Sequence, residues 1–242
     1  MSPTDIIATP AVTREHPNLT AAKIIPTLDI AVLKPEASCK DITEAAREVE
    51  EIGAASVCVS SYNVALAAQV TKRVCSVVGF PHGNVPPGVK RLEAEQALDD
   101  GAKELDVVIN FGRMLEGREV SVCQELDQII DLARRYDVRV KAILETCYYE
   151  PRQLRDACDI CIDCGVDWLK TSTGFGPCGA TPWAVEIMLE AAAAANARAA
   201  DSRTVQVKAS GGIKTFDDAC MYLGMGCTRL GVGFKSYRGL LP

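Results

Sequence analysis

Short apolar segments alternate with longer segments of helical periodicity along most of the chain. The apolar segments are too short for helices and are rich in valine and isoleucine, which is typical of buried strands. The predicted strands are residues 26–33, 55–60, 76–80, 104–110, 139–145, 168–171, 205–208 and 228–231. The predicted helices are residues 40–52, 62–75, 89–100, 120–136, 151–164, 182–198 and 216–223.

This alternation predicts the fold class. Each strand is followed by a helix that returns the chain, so the strands are expected to be parallel. Eight such units in 242 residues predict an α/β fold, a (β/α)8 TIM barrel in a single domain. An open doubly wound sheet is the alternative, but the segment Val32-Leu33-Lys34-Pro35 lacks the glycine-rich turn typical of that fold. We expect residues 1–22 to form a polar N-terminal extension and residues 23–242 to form the barrel.

Composition narrows the class of partner. A net charge of −6 without a basic run argues against nucleic acid, so no nucleic-acid partner is expected. The sequence contains no apolar stretch of about 20 residues and no signal-peptide pattern, so no membrane association is expected. Eleven cysteines at irregular spacing favour reduced thiols and a cytoplasmic location.

The histidine and cysteine content disfavours metal binding. Two histidines are too few for a histidine-based zinc site. Cys158, Cys161 and Cys164 have a spacing that superficially resembles a cluster motif, but they lie inside a predicted helix and no fourth cysteine follows at the ferredoxin position. We therefore expect no metal and no other cofactor.

Two lysines stand at the ends of neighbouring predicted strands. Lys170 and Lys208 each follow a short apolar run and precede small residues and glycine. In a barrel, active sites lie at these strand ends, and two adjacent amines can lower the pKa of one of them to give a nucleophilic lysine. Asp106, in the fourth strand, could face both lysines. The plainer alternatives are an exposed loop lysine for Lys170 and a structural ion pair for Asp106.

Five motifs carry a resemblance to a known family. They are VGFPHG (78–83), ELDVVIN (104–110), KAILET (141–146), LKTSTG (169–174) and VKASGGI (207–213). With them, residues 28–233 resemble the deoxyribose-phosphate aldolases, which are class I, lysine-dependent aldolases with a TIM-barrel fold. The resemblance implies reversible cleavage of 2-deoxy-D-ribose 5-phosphate to acetaldehyde and D-glyceraldehyde 3-phosphate, with small-molecule aldehydes and sugar phosphates as partners. It also favours a homodimer, by analogy alone.

The resemblance implies roles for individual residues. Lys170 matches the Schiff-base lysine, Lys208 the lysine that lowers its pKa, and Asp106 the acid that transfers the proton. The remaining implied substrate contacts are Asp29, Cys58, Thr171, Gly174, Gly211, Gly212, Lys214 and Gly233. Considered by itself, Cys58 sits in an apolar run, where a small buried hydrophobic role is the more common one.

Two departures from the family pattern concern the substrate. Residues 29–35 (DIAVLKP) lack a hydroxyl that many members have, and Gly231-Val232-Gly233-Phe234 stands where two serines usually lie beside the phosphate. We therefore expect a weaker preference for phosphorylated acceptors than in typical members. Two alternatives stay open at this point. One is a related Schiff-base aldolase with a different or unphosphorylated acceptor, and the other is a non-catalytic barrel that only binds an aldehyde or sugar phosphate.

Overall fold

A computed structural model describes residues 19–199 and 204–242. Its eight parallel strands close into a barrel in the order of the sequence, which confirms the predicted (β/α)8 architecture. The strands are β1 Leu28–Val32, β2 Ser56–Val59, β3 Val74–Val78, β4 Glu104–Val108, β5 Arg139–Ile143, β6 Trp168–Lys170, β7 Gln206–Ser210 and β8 Arg229–Gly233. Residues 1–18 of the predicted extension lie outside the described residues, so its boundary at residue 22 stays a prediction.

Helices surround the barrel and are bounded by recognisable end signals. They are α1 Ala21–Ile24, α2 Cys39–Ile52, α3 Val64–Ala68, α4 Pro87–Asp99, α5 Phe111–Leu115, α6 Glu119–Arg135, α7 Pro151–Cys164, α8 Pro182–Arg198 and α9 Phe216–Met225. The boundaries of α2 illustrate the local chemistry. A capping box joins Ser38 and Asp41 at its start, and Gly53 ends it with a φ of 75°.

The predicted helix 62–75 is wrong in its second half. The structure has a 3-10 turn at Ser61–Asn63 and the short helix α3, after which the chain enters β3 two residues earlier than predicted. Val74 and Cys75 are fully buried and pair with Val57 and Cys58 of β2. Sheet pairing therefore overrides a local periodicity that favoured a helix.

The two faces of the barrel sheet, one facing the helices and one facing the inside of the barrel, differ in chemistry. Apolar side chains such as Leu105, Val107 and Leu169 belong to the main hydrophobic core, in which the sheet packs against the helices. The alternating positions Asp106 and Lys170 carry buried charges that meet inside the barrel. Branched aliphatic residues usually fill the interior of such a barrel, and here charged groups occupy much of it. The charged inside of the barrel contains the candidate site.

Candidate active site

Lys170 and Lys208 lie side by side inside the barrel. They are register partners on β6 and β7, and both side chains are buried. Asp106 reaches them from β4, and its Oδ2 lies 2.7 Å from the Nζ of each lysine. The predicted convergence of these three residues is therefore present in the structure. One carboxylate oxygen is shared between two amines, an arrangement suited to moving a proton near one of them.

The second oxygen of Asp106 is also occupied. Oδ1 accepts a hydrogen bond from Lys141 Nζ at 2.8 Å and one from the Cys75 thiol at 3.1 Å. Burial by itself would raise the pKa of Asp106, but the charges of Lys141, Lys170 and Lys208 hold that pKa well below its usual value. Asp106 is therefore an anion in this site at neutral pH.

Lys208 is held as a cation by two carboxylates. Its Nζ lies 2.5 Å from Asp29 Oδ2 as well as 2.7 Å from Asp106 Oδ2. Burial would lower the pKa of Lys208, but Asp106 and Asp29 outweigh burial and raise that pKa above its usual value. The Lys208 ammonium group is thus a fixed positive charge in register with Lys170 on the neighbouring strand.

Asp29 anchors this end of the cluster. It accepts hydrogen bonds from Ser56 Oγ at 2.7 Å and from the Arg229 guanidinium, in addition to its ion pair with Lys208. Burial would raise the pKa of Asp29, but the charges of Lys208, Lys141 and Arg229 lower it. Both hydrogen bonds go to Oδ1. Oδ2 lies 2.5 Å from Lys208 Nζ and 3.8 Å from Lys141 Nζ but has no hydrogen-bond partner among the described residues, so Asp29 is a fixed negative charge beside Lys208.

Lys141 is a central residue to which the sequence analysis assigned no role. It is fully buried and its Nζ lies 2.5 Å from Glu104 Oε2 and 2.8 Å from Asp106 Oδ1. The one available signal was register, because Glu104 and Asp106 alternate on β4 and pair with Arg139 and Lys141 of β5. We call Asp29, Asp106, Lys141, Lys170 and Lys208 the lumenal ion network.

The predicted contacts after β6 and β7 divide into structural and open positions. The Thr171 hydroxyl is fully buried, and it donates to Ser210 O at 3.1 Å and accepts from Ser210 N at 3.0 Å. Gly211 has a φ of 84°, and a Cβ there would lie 2.9 Å from the Cα of Gly179 and 3.5 Å from that of Gly174. Glycine is therefore required at Gly211 by close backbone packing.

The open positions are Gly174, Gly212, Lys214 and Gly233, all of which are exposed. A Cβ added to Gly212 would meet no described atom within 4 Å. Phe234, which follows Gly233, is half-buried and packs against the main hydrophobic core, while its backbone N–H donates to Ala31 O at 3.0 Å. Its side chain is thus engaged in packing, so the main difference from the family pattern at this position is the missing hydroxyl.

Three further polar residues lie at the mouth. The sequence places Glu145 at a strand end without giving it a role, and it does not point to Ser172 or Ser236. The Ser172 hydroxyl is fully buried and has no hydrogen-bond partner among the described residues, although a buried unpaired hydroxyl costs about 1–3 kcal/mol. Ser236 Oγ lies 3.9 Å from the position that a Cβ of Gly233 would take. Glu145 adopts a φ of 58° and accepts hydrogen bonds from Thr173, which fixes the loop after Lys170.

Cys58 lies beside the network but is well packed. It is 1% exposed and pairs in register with Cys75, and a hydrogen bond with Cys75 lowers the pKa of the Cys58 thiol. The two thiols and the Asp106 carboxylate place ligand atoms within 4.8 Å of one another. Three ammonium groups already contact that carboxylate, which disfavours a cation there.

The cysteine triplet of α7 forms no ligand cluster within the part of the chain that the structure describes. Cys158 and Cys161 are buried in the helix–barrel interface, and Cys164 is half-buried. Burial raises the pKa of the Cys158 thiol and that of the Cys161 thiol well above the usual range. The Cys158 and Cys161 thiols therefore pack in the hydrophobic core.

A closed (β/α)8 barrel with two lysines and an aspartate buried together at its centre is an arrangement suited to a lysine-dependent aldolase. Residues 15–231 match the model of the DeoC/LacD family aldolases. The chain belongs to the DeoC/LacD aldolase family.

Relatives and solved structures agree with this assignment. The deoxyribose-phosphate aldolase of Treponema denticola is 38% identical over 208 residues, which are 84% of this chain and 92% of the relative. That of Carboxydothermus hydrogenoformans is 37% identical over 235 residues, covering 92% of this chain and 97% of the relative.

Among solved structures, the aldolase QR15 superposes with a TM-score of 0.80 at 36% identity, covering 88% of this chain and 92% of its own. The tetrameric deoxyribose phosphate aldolase of Aeropyrum pernix has a TM-score of 0.81 at 30% identity, covering 91% of each chain. Within residues 19–199 and 204–242, no helix is long and apolar enough to cross a membrane.

Proposed function

We propose that the protein catalyses the reversible cleavage of 2-deoxy-D-ribose 5-phosphate to acetaldehyde and D-glyceraldehyde 3-phosphate through a Schiff base on Lys170. The observation that carries this proposal is the shared oxygen of Asp106, 2.7 Å from the amines of both Lys170 and Lys208. The names of the relatives support the same substrate. A small-molecule aldehyde and sugar phosphate are the partners that such a site requires.

Covalent attachment is the first step. Neutral Lys170 attacks the aldehyde carbon of the open-chain sugar, and loss of water leaves an iminium that withdraws electrons from the adjacent carbon. Lys208 is bound by two carboxylates and stays cationic, so it places a fixed positive charge beside the reacting amine. Lys170 itself is contacted by Asp106, which can take the proton that Lys170 must lose.

Bond cleavage and release follow from the same groups. The C2–C3 bond breaks as the C3 hydroxyl passes its proton through a water molecule to the Asp106 carboxylate, and D-glyceraldehyde 3-phosphate leaves. The electron pair of that bond forms the enamine of acetaldehyde on Lys170, and Asp106 now holds the proton for the next step. Asp106, acting through a water molecule, protonates the enamine carbon, and hydrolysis of the resulting iminium releases acetaldehyde. In synthesis the order is reversed, so one acid–base group serves both directions.

The phosphate end of the substrate lies at the open loops in this proposal. Gly212 and Gly233 expose backbone at the ends of β7 and β8, and the exposed Lys214 supplies a positive charge. The loops after the seventh and eighth strands commonly bind phosphate in barrel enzymes. Ser236 offers a hydroxyl near Gly233, which compensates in part for the serine pair that this chain lacks.

Ser172 supports a contact nearer to the reaction. Its buried, unpaired hydroxyl is two residues from Lys170, and we assign it to a hydroxyl of the bound sugar.

Eleven free thiols support a reducing compartment such as the cytoplasm. A homodimer stays a prediction.

Reductive trapping tests the proposal directly. Borohydride added in the presence of acetaldehyde is expected to leave an ethyl group on the peptide that contains Lys170, as read by peptide mass spectrometry. The Lys170→Leu variant is the control and should carry no label. Label on Lys208 or Lys141 would contradict the assignment. Trapping without cleavage of 2-deoxyribose 5-phosphate would favour a barrel that binds aldehydes but does not turn over this sugar.

A further inference from the structure

A second concave site lies at the opposite end of the barrel from the loops that follow Lys170. It is a cavity of about 320 Å³ lined by the first residues of β2, β3, β4, β5 and β8 and by the segments that lead into them. Its charged lining residues are Lys72, Arg73, Lys103, Glu104, Arg139 and Arg229. We call this cavity the basal pocket. Its volume is at the lower end of the roughly 300–1,000 Å³ of small-ligand sites.

The charge of the basal pocket is opposite to that of the chain. Five basic side chains and one acidic side chain line it, although the whole chain carries a net charge of −6. A concave surface with one sign of charge concentrates the electrostatic potential and attracts ions of the opposite sign. The pocket therefore favours an anionic ligand, and the excess of cations favours one with several negative charges.

The single carboxylate does not neutralise these cations. Glu104 is already bound by Lys141 at 2.5 Å, by Arg229 at 2.5 Å and by Arg139 at 3.0 Å. Arg229 is more than nine-tenths buried, which fixes one wall of the pocket.

The outer cations have weaker partners or none. Arg73 lies 3.9 Å from Glu50, and within the described ranges neither Lys72 nor Lys103 has a carboxylate within 4.0 Å. Lys72, Arg73 and Lys103 are also exposed, so their charges face the solvent side of the pocket.

We propose that the basal pocket binds an oligophosphate group. Guanidinium groups match the geometry of phosphate oxygens, and ammonium groups bind them as point charges. Arg73 and Arg139 supply the first kind of group, and Lys72 and Lys103 supply the second. Four cations spread around one concavity match a chain of linked phosphates better than a single phosphate, which can reach only some of them.

A tryptophan beneath the pocket provides the measurement. Trp168 is 2% exposed, and the guanidinium carbons of Arg139 and Arg229 lie 4.7 and 5.4 Å from its ring centre. Movement or neutralisation of either arginine alters the environment of the indole. The chain has two tryptophans, and Trp183 lies on α8, so Trp183→Phe leaves Trp168 as the only tryptophan, which can be excited selectively over the tyrosines.

The experiment titrates the Trp183→Phe protein with inorganic triphosphate, with ATP and with inorganic phosphate, following Trp168 fluorescence. We expect saturable binding of triphosphate, with inorganic phosphate weaker by at least tenfold. Equal binding of triphosphate and ATP would locate recognition in the phosphate chain, and tighter binding of ATP would add a nucleoside contact. The double variant Lys72→Ala/Lys103→Ala should weaken triphosphate binding by about tenfold or more. Both lysines are exposed, so the fold should tolerate their loss.

A matched control separates a site from general attraction. Lys40→Ala/Lys235→Ala removes the same charge from exposed positions outside the pocket and should leave binding unchanged. Lys214→Ala should also bind normally, because Lys214 belongs to the opposite mouth of the barrel. The proposal is overturned if the pocket variant binds triphosphate as tightly as the parent, or if both double variants lose affinity equally.

Discussion

The lumenal ion network and the loops after β7 and β8 serve the same substrate in the proposed reaction but are built in opposite ways. In the network, Asp106 contacts three ammonium groups, and Asp29 contacts three cations and a hydroxyl. In the loops, Gly212, Lys214 and Gly233 are exposed, and the Gly212 backbone borders open space. Geometry is fixed where the bonds are made and is left adjustable where the acceptor is held.

The difference has an energetic reason. A buried charge that loses its partner costs several kcal/mol, so the network tolerates few arrangements. Exposed groups remain solvated with or without a ligand, so substitutions in the loops change the free energy of unfolding little. We therefore expect substitutions in the network to abolish activity or stability and substitutions in the loops to change selectivity. Four experiments test this comparison.

The largest effect is expected for Asp106→Asn. The amide cannot act as an acid or base, so proton exchange at the methyl carbon of acetaldehyde should fall by roughly 10²–10⁴. The measurement is deuterium incorporation from solvent, followed by NMR. Borohydride trapping on Lys170 should persist, and it serves as the control for a folded site. Exchange at the rate of the unmodified protein would remove Asp106 from the mechanism.

The next effect is on stability. Lys141→Met removes the ammonium group between Glu104 and Asp106 and leaves two buried carboxylates short of a partner. We expect the free energy of unfolding to fall by roughly 3–5 kcal/mol, measured by urea denaturation. The exposed Lys40→Met is the matched control and should change it by less than about 0.5 kcal/mol. A loss below about 1 kcal/mol for Lys141→Met would show that the network is not tightly coupled.

A smaller, pH-dependent effect is expected for Lys208→Leu. The raised pKa of Lys208 keeps this residue positive across the working range. Its removal takes the second amine away from Asp106 Oδ2, where Lys170 is bound, while Lys141 stays on Oδ1. Protonation of Lys170 then becomes easier, so the pH profile of imine formation should move upward by roughly one pH unit or more. Lys235→Leu, an exposed change of the same kind, should leave the profile in place. Loss of activity at an unshifted pH would indicate positioning alone.

The smallest effect concerns the loop after β8. Phe234→Ser supplies the missing hydroxyl. A hydrogen bond from this hydroxyl to the charged phosphate should stabilise the bound substrate by about 1.5–3 kcal/mol, which corresponds to roughly tenfold or more in selectivity. The quantity to measure is the ratio of kcat/KM for 2-deoxyribose 5-phosphate to that for 2-deoxyribose. Ser236→Ala should lower the same ratio in the parent protein. A high ratio that neither substitution changes would assign phosphate binding to Gly212 and Lys214 alone.

The fold could be predicted from local patterns because, in every unit, the spacing of apolar residues changes from that of a strand to that of a helix. The error at residues 62–75 arose where that signal was weakest. Val74 and Cys75 continue an apolar spacing that suits a helix, and pairing with β2 and β4 makes them a strand. The helix α5 was missed for a related reason, since five residues capped by Asn110 are too few to give a period.

The sequence by itself determined the barrel, the aldolase family and the three residues that meet at its centre, because strand ends and motifs are local properties. Only the tertiary structure decided how their charges are balanced. Lys141, Glu104 and Arg229 became part of the site because strands distant in sequence bring their side chains into one interior. The basal pocket likewise combines residues from five strands and their leading segments. Protonation and charge depend on such three-dimensional neighbours, which no linear pattern specifies.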